Sequence, residues 1–258
     1  MSAHAATQAA LWGKDPEGWT VHSRRVLGPL YEEAVRRLAP TAGERVLDAG
    51  CGAGLLAVMA AHRGAHVTGL DVSAKLVRDA AARGGGPRYV VGDLESLPFP
   101  DGRYDAVAAL NSVPYARDPA AALAELARVT APGGRLLLTV GAGATQTSCA
   151  SAIDALAAPG EVPGWQLDLR VPDVLDAALR RAGYEAPALG EIAYDVVYDD
   201  VADAVAAQLP AGPVQAAIRN AGRERVDRAL RERFAAEARD DGTVVTRSVF
   251  LCALARRA

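Results

Sequence analysis

The sequence lacks the features that mark several classes of protein, beginning with cysteine. Its three cysteines, Cys51, Cys149 and Cys252, have neither the even number nor the close spacing of a disulfide framework or a zinc knuckle. His, Cys, Asp and Glu also form no cluster with the spacing of a metal site. We therefore expect reduced thiols, a cytoplasmic location and no bound metal.

Basic charge and long apolar runs are missing as well. Lys and Arg number 28 against 31 Asp and Glu, and the two signs are interspersed, which gives a formal net charge of -3. Nucleic-acid binding needs a field of basic side chains. No apolar run approaches the roughly 20 residues of a membrane span, and the N-terminus has no basic segment followed by an apolar one. Neither nucleic acid nor a membrane is therefore the expected partner, and the oligomeric state stays open.

What the sequence does contain is a regular alternation of two patterns between Val46 and Val140. Short apolar runs alternate with stretches rich in Ala and Leu, which is typical of βαβ units and a parallel sheet. The runs predict strands at Arg45 to Asp48, His66 to Leu70, Arg88 to Val91, Tyr104 to Leu110 and Arg135 to Val140. The stretches between them predict helices at about Leu55 to His62, Ala74 to Arg83 and Ala120 to Thr130.

The flanking segments predict further parts around this core. A helix is expected over Pro172 to Ala182, and strands over Ala188 to Tyr198 and Val244 to Leu254, with a helical insertion between those two strands. The expected organisation is an N-terminal helical cover (1–40), a core (41–199), a helical cap insertion (200–240) and a final core strand (241–258).

Both helical segments show an apolar face. In the cover, one helical face carries Leu27, Leu30, Ala34 and Leu38. In the cap, Val226, Leu230 and Phe234 recur every four residues among alternating Arg and Glu, which favours an amphipathic cap helix over a nucleic-acid-binding one. Three tryptophans are expected to close the lid by packing: Trp12, Trp19 and Trp165.

The clearest chemical signal is the segment LDAGCGAG, where an apolar strand ends in Asp48 and runs into Gly50 and Gly52. Glycine lets a ligand approach the backbone closely. Asp71 closes the next strand, 21 positions after Gly50, about the separation at which an acidic residue reaches a ribose hydroxyl pair. Asp93 follows the third strand. Three carboxylates are thus expected at the sheet edge where ligands of open α/β sheets bind.

Together, the segments LDAGCGAG, LDVS, GDLESLPFPDGRYDAVAALNSV and the APGG turn before LLLTV resemble the class I S-adenosylmethionine (SAM)-dependent methyltransferase family, in its small-molecule, type 11-like branch. The resemblance covers about Val46 to Val140. It implies an α/β fold with a Rossmann-like, seven-stranded, mostly parallel sheet, helices on both faces and a helical cap. The final strand, here Val244 to Leu254, is then antiparallel. It also implies SAM as cofactor and S-adenosyl-L-homocysteine (SAH) as product.

The resemblance further implies roles for single residues. Asp71 takes both ribose hydroxyls, Asp93 accepts from the adenine amino group, and Leu94 donates its backbone N–H to an adenine ring nitrogen. The remaining implied contacts are Asp48, Gly50, Cys51 and Gly52 around the methionine part, Val72 and Leu76 beside the adenine, and Asn111 and Ser112 near the sulfonium.

Methyl transfer from SAM needs few catalytic groups, because the leaving group is a neutral thioether and alignment of the acceptor supplies much of the rate. A weak base suffices for a phenol, an acid or an amine, and the candidates are His22 in the cover and Tyr115 on the loop facing the acceptor. His4 is expected to be disordered.

The expected function is therefore methylation of a small organic acceptor at O, N or C, in specialised metabolism. The alternative left open is an enzyme of the same fold that keeps SAM but catalyses a cyclisation or a rearrangement.

Overall fold

A computed structural model describes residues 2–141, 153, 156 and 167–258 of the chain. Cys149 and Trp165 lie outside the described residues. The strands are β1 (Arg45–Ala49), β2 (His66–Asp71), β3 (Arg88–Val91), β4 (Tyr104–Leu110), β5 (Thr130–Gly141), β6 (Tyr184–Tyr198) and β7 (Val244–Arg257). The α-helices are α1 (Ala3–Trp12), α2 (Pro16–Arg25), α3 (Gly28–Leu38), α4 (Leu55–Ala61), α5 (Ala74–Arg83), α6 (Pro119–Val129), α7 (Pro172–Arg181), α8 (Val201–Gln208), α9 (Gly212–Ala221) and α10 (Arg223–Ala235).

These strands form one seven-stranded sheet in the order β3-β2-β1-β4-β5-β7-β6. The five strands from β1 to β5 pair in parallel, and β7 runs antiparallel to both of its neighbours. Apolar clusters cover both faces of the sheet, one packed with α6 and α7 and the other with α3 and α4. Central strands such as β4 are therefore buried almost throughout, which explains why they are continuous apolar runs. The predicted α/β fold with an antiparallel last strand is confirmed.

The strand β5 begins earlier than the sequence predicts. Its pairing with β4 jumps from Tyr104 opposite Thr130 to Ala106 opposite Arg135, so the four residues of APGG form a bulge inside the strand. Gly133 has a φ of 72° there, a conformation that favours glycine. The APGG segment ends α6 as predicted, but it does so within the strand pairing.

The N-terminal cover consists of three helices, whereas the apolar pattern predicted one. The predicted helix is α3, in which Leu30, Ala34 and Leu38 are fully buried. The helices α1 and α2 begin at side-chain caps, where Ser2 and Asp15 accept from backbone N–H groups. Most of the residues that α2 buries are polar or aromatic, so it has no apolar stripe that periodicity could detect.

The helices α8, α9 and α10 lie between β6 and β7, as predicted for the insertion. Val226, Leu230 and Phe234 are fully buried and pack with Tyr198 and Val244, which confirms the amphipathic pattern of α10. The first residue of α9, Gly212, lies so close to the ring of Trp12 that a Cβ there would overlap it. The insertion therefore supports α1 from the outside.

The described residues lack two kinds of feature. None of the helices in this part of the chain is long and apolar enough to cross a membrane. No group of three or more His, Cys, Asp or Glu among the same residues could hold a metal ion.

Candidate active site

A cavity with about 850 Å³ of space, its open mouth included, lies at the carboxyl ends of β1, β2 and β4. Two parts of the chain line it. The sheet edge contributes the glycine loop after β1 and the turns after β2, β3 and β4, and the cover contributes residues of α1, α2 and α3. The predicted site residues that line it are Gly50, Gly52, Asp71, Val72, Leu76, Asp93, Leu94, Asn111, Ser112 and Tyr115.

The glycine loop fits closely against its surroundings. Gly50 has a φ of 83°, and a Cβ there would overlap the Cβ of Ser112. A Cβ on Gly52 would lie 2.8 Å from Nε1 of Trp19. The N–H groups of Gly50 and Cys51 both donate to the carbonyl of Leu70, at 2.7 and 2.9 Å. Any side chain at Gly50 or Gly52 would displace the loop, so its backbone stays open to a ligand.

Asp71 ties the glycine loop to the end of β2. One carboxylate oxygen accepts from the N–H of Gly52 at 2.9 Å, and the other accepts from the N–H of Ser73 at 2.8 Å. Burial raises the pKa of Asp71, while these two backbone donors lower it. Because an ionised carboxylate has about four acceptor positions, each oxygen keeps one for a ligand. Asp71 is therefore suited to two neighbouring hydroxyl groups, as a ribose presents.

Asp48 lies buried at the end of β1 and is not among the residues that line the cavity. Its Oδ2 has no hydrogen-bond partner among the described residues. Burial, with a contribution from the charge of Asp71, raises the pKa of Asp48 to about 7. An unpartnered carboxylate oxygen below a glycine loop fits a ligand that brings a cationic amino group, directly or through water.

The turns after β3 and β4 complete the sheet-edge part of the cavity. Asp93 accepts from the N–H of Glu95 at 3.1 Å through one oxygen. Asn111 has a φ of 53° at the end of β4, a left-handed conformation that is uncommon for a residue other than glycine. Ser112 donates its hydroxyl to the carbonyl of Ala49 at 2.7 Å, which joins the ends of β4 and β1. These bonds hold the turns in place without using the free oxygen of Asp93.

Two other predicted site residues do not line the cavity. His22 stacks on Trp19 with ring centroids 4.9 Å apart, and its Nδ1 bonds the backbone carbonyl of Ala207 in α8. Burial lowers its pKa. Its position corrects the expectation that His22 is the histidine able to reach the acceptor. Cys51 directs its sulfur toward Gly69, beneath the loop, where burial raises the pKa of the thiol well above its usual value.

Sequence reasoning missed the helix α1 and its contribution to the cavity. His4, Gln8 and Trp12 lie at i, i+4 and i+8 on one face of α1, and all three line the cavity. His4 is ordered within α1, which corrects the expectation that it is disordered. Trp12 makes edge contacts with Trp19 and Tyr115, at 4.8 and 5.0 Å between ring centroids. The spacing was visible in the sequence, but nothing there indicated which face of α1 meets the sheet.

Comparison with known proteins supports the same assignment of the core. Residues 47–138 match a family model described as a methyltransferase domain. A malonyl-[acyl-carrier protein] O-methyltransferase of Serratia marcescens is 43% identical over 105 residues, 40% of this chain and 41% of the relative. A ubiquinone biosynthesis O-methyltransferase of Xylella fastidiosa (strain 9a5c) is 34% identical over 143 residues, 52% of this chain and 56% of the relative. The chain thus spans about half the length of the curated relatives it matches.

The fold also resembles solved structures. The geranyl diphosphate C-methyltransferase of Streptomyces coelicolor A3(2), solved with SAH, superposes with a TM-score of 0.57 at 20% identity. The match covers 91% of this chain and 80% of that protein. At this identity the likeness shows the fold. Residues 47–138 thus match the class I SAM-dependent methyltransferase family, whose cofactor is SAM.

Proposed function

We propose that this protein transfers the methyl group of SAM to a small, uncharged organic acceptor held between the sheet edge and the helices α1 and α2. The observation that carries the proposal is the composition of the cavity. Its sheet-edge part has the carboxylates and glycines of a SAM site, and its cover part has aromatic rings. Among the described residues that line it, none is Lys or Arg.

In the cofactor part, the chain's own groups have separate tasks. Asp71 accepts from the two ribose hydroxyls with the acceptor positions that its backbone bonds leave unused. Asp93 and the N–H of Leu94 recognise the adenine edge, and Val72 and Leu76 pack beside the ring. Gly50 and Gly52 leave room for the methionine part, and the carboxylate of Asp48 balances its ammonium group. Asn111 and Ser112 lie near the sulfonium.

In the acceptor part, Trp12, Tyr31 and Tyr115 provide apolar surface for a compact ring system. An anionic acceptor would lose its hydration without gaining a Lys or Arg partner there, which is costly. The names of the relatives include malonyl-[acyl-carrier protein] and ubiquinone biosynthesis. The aromatic lining favours a neutral ring compound over a free carboxylate. A compact acceptor of this kind suits specialised metabolism in the cytoplasm, and that setting is part of the proposal.

Methyl transfer requires the protein to align the acceptor with the methyl group and to exclude water. SAM, when bound, supplies a methyl group on a sulfonium, whose loss leaves a neutral thioether. Holding the acceptor in line with that methyl group contributes about 7 to 11 kcal/mol in well-oriented systems. The helices α1 and α2 close the cavity on the side away from the sheet, and the exclusion of water strengthens the interactions inside.

A mass-spectrometric assay tests the proposal. Purified protein is incubated with SAM carrying a deuterated methyl group and a panel of small phenols, amines and carboxylic acids. We expect one labelled methyl group on a neutral member of the panel, with an equal amount of SAH, and no label on the carboxylic acids. Conversion of an acceptor without a gain in mass, while SAM is bound and not consumed, would instead identify the cyclisation or rearrangement alternative.

A further inference from the structure

The side chain of His4 is held in one chemical form by a single hydrogen bond. Its Nε2 lies 2.9 Å from the backbone carbonyl oxygen of Tyr115, 111 residues away. A carbonyl oxygen only accepts, so Nε2 must carry the proton in this bond. In the neutral ring the other nitrogen, Nδ1, is then the unprotonated one. The bond therefore leaves His4 with a basic nitrogen of defined position.

The position of His4 is suited to a base that acts on the acceptor. His4 lines the cavity on the same face of α1 as Gln8 and Trp12. Gln8 accepts from the indole N–H of Trp12 at 3.2 Å, so its amide oxygen orients the ring that packs against Tyr115. His4 also holds the carbonyl of Tyr115. The loop after β4 and the face of α1 are thus fixed relative to each other in the acceptor part of the cavity.

The other titratable groups that line the cavity are less suited to remove a proton. Both oxygens of Asp71 hold backbone N–H groups, and one oxygen of Asp93 does the same. Glu95 accepts from the N–H of Arg117 and lies 3.9 Å from its guanidinium. The two tyrosines, Tyr31 and Tyr115, are weak proton acceptors because a phenol is neutral at pH 7.

We propose that His4 is the general base that removes the hydroxyl proton of a neutral phenolic acceptor, an inference that rests on the proposed methyl transfer. The acceptor O–H bond breaks and its proton passes to Nδ1 of His4. An oxygen lone pair forms the bond to the methyl carbon, and the electrons of the breaking carbon–sulfur bond stay on sulfur. The imidazolium then returns its proton to water. Nε2 keeps its bond to Tyr115 throughout.

Substitution of His4 by Gln distinguishes the proposed role of His4 as a base from its structural hydrogen bond to Tyr115. The Gln amide can still donate to the carbonyl of Tyr115, whereas it has no basic nitrogen. His4→Ala removes both functions, and His66→Gln changes an exposed histidine at the start of β2 as a control. For methylation of a phenol, we expect His4→Gln to lower kcat about 100-fold or more and to abolish the limb of the pH profile that reports the base. SAH affinity should stay within about threefold.

Two measurements without turnover complete the test. In the SAH-loaded protein, nitrogen NMR of the imidazoles should show His4 protonated at Nε2 alone, and 4-nitrophenol should bind with a larger ionised fraction than it has in His4→Gln. Protonation at Nδ1, absence of 4-nitrophenol binding, or equal ionisation in the variant would overturn the role of His4. If ionisation depends on His4 but no methyl group is transferred from SAM, the proposed function fails while the base stands. If methylation persists unchanged in His4→Gln, the role of His4 as the base fails while the proposed methyl transfer stands.

Discussion

The two walls of the cavity are built in different ways. The sheet edge forms its wall from backbone, with loops fixed by the ends of β1, β2 and β4 and closed by bonds such as Ser112 to Ala49. The cover forms its wall from side chains, with Trp12 in edge contact with Trp19 and with Tyr115 of the loop after β4. The backbone wall suits one invariant ligand, the cofactor. The side-chain wall can change by substitution without disturbing the sheet, which is where acceptor choice is expected to reside.

The cover also depends on a third region that does not touch the ligand. No described residue of 200–239 lines the cavity. Instead α8 holds α2 through His22 and through the ion pair of Arg25 with Asp203, and α9 holds α1 at Gly212. The insertion thus positions the acceptor wall from behind. Four predictions, taken from the largest expected effect to the smallest, test this division.

The largest effect is expected from Gly50→Val. A β-branched side chain would meet Ser112 and would have to adopt a φ of 83°, so we expect SAM affinity to fall by about 3 kcal/mol, or 100-fold, or more. Titration calorimetry measures the loss. Gly43→Val is the matched control, because Gly43 has a φ of 84° and open space around it. Normal SAM binding by folded Gly50→Val would contradict the placement of the loop.

The next effect concerns stability and pH. Burial raises the pKa of Asp48 to about 7, so between pH 4 and 7 the folded protein keeps a proton that the unfolded chain has lost. Its contribution to stability is fully present below about pH 4 and is lost as the pH rises to about 7. From pH 5 to pH 8 the wild type should lose on the order of 2 kcal/mol more unfolding free energy than Asp48→Asn.

Urea unfolding of both proteins at the two pH values measures this difference. The comparison is needed because other buried groups also have shifted pKa values. The pKa of Asp71 is also raised, and the lowered pKa of His22 acts in the opposite direction, reducing stability as the pH falls below its ordinary pKa. These groups are common to both proteins, so the difference reports Asp48 and its coupling to Asp71. Identical pH dependence in the two proteins would mean that Asp48 does not hold a proton at pH 5.

A smaller effect is expected from Asp71→Ala. Loss of the carboxylate that faces the ribose hydroxyls should weaken SAM binding by about 1 to 3 kcal/mol, or roughly 5- to 150-fold. Asp71→Asn keeps one acceptor oxygen, so its SAM affinity should lie between that of Asp71→Ala and that of the wild type. Asp101→Ala, at an exposed position outside the cavity, is the control. Unchanged calorimetric affinity in folded Asp71→Ala would remove this residue from the site.

The smallest effect is expected where the cap holds the cover. Arg25 bonds Asp203 at 2.6 Å in a pair whose two side chains are 36% and 27% exposed. A double-mutant cycle with Arg25→Ala and Asp203→Ala should give a coupling of about 0.2 to 1 kcal/mol in unfolding free energy. SAH affinity should be unchanged, because neither residue lines the cavity. A loss of SAH affinity as large as that of Asp71→Ala would show that the cover and the cofactor wall are not separate.

The same division explains what the sequence could predict. Strands such as Tyr104–Leu110 and the positions of Asp71 and Asp93 follow from apolar runs and strand ends, because parallel strands deliver their last residues to one edge. The helices α1 and α2 escaped prediction because their buried residues include Gln8, His22 and Ser23, whose burial depends on partners distant in sequence. His4 was missed because its bond to Tyr115 spans 111 residues, a contact that no local pattern encodes.

Hydrogen exchange with and without SAH tests most directly the claim that the sheet edge, not the cover, is the cofactor wall. SAH should slow exchange most at the glycine loop (48–54) and at the turn after β2 (71–76), since a ligand that binds the folded site suppresses local opening. The helices α1 and α2 of the cover (3–25) should gain their main protection only when a phenolic acceptor is added. Protection by SAH confined to the cover, with none at 48–54 and 71–76, would contradict the account.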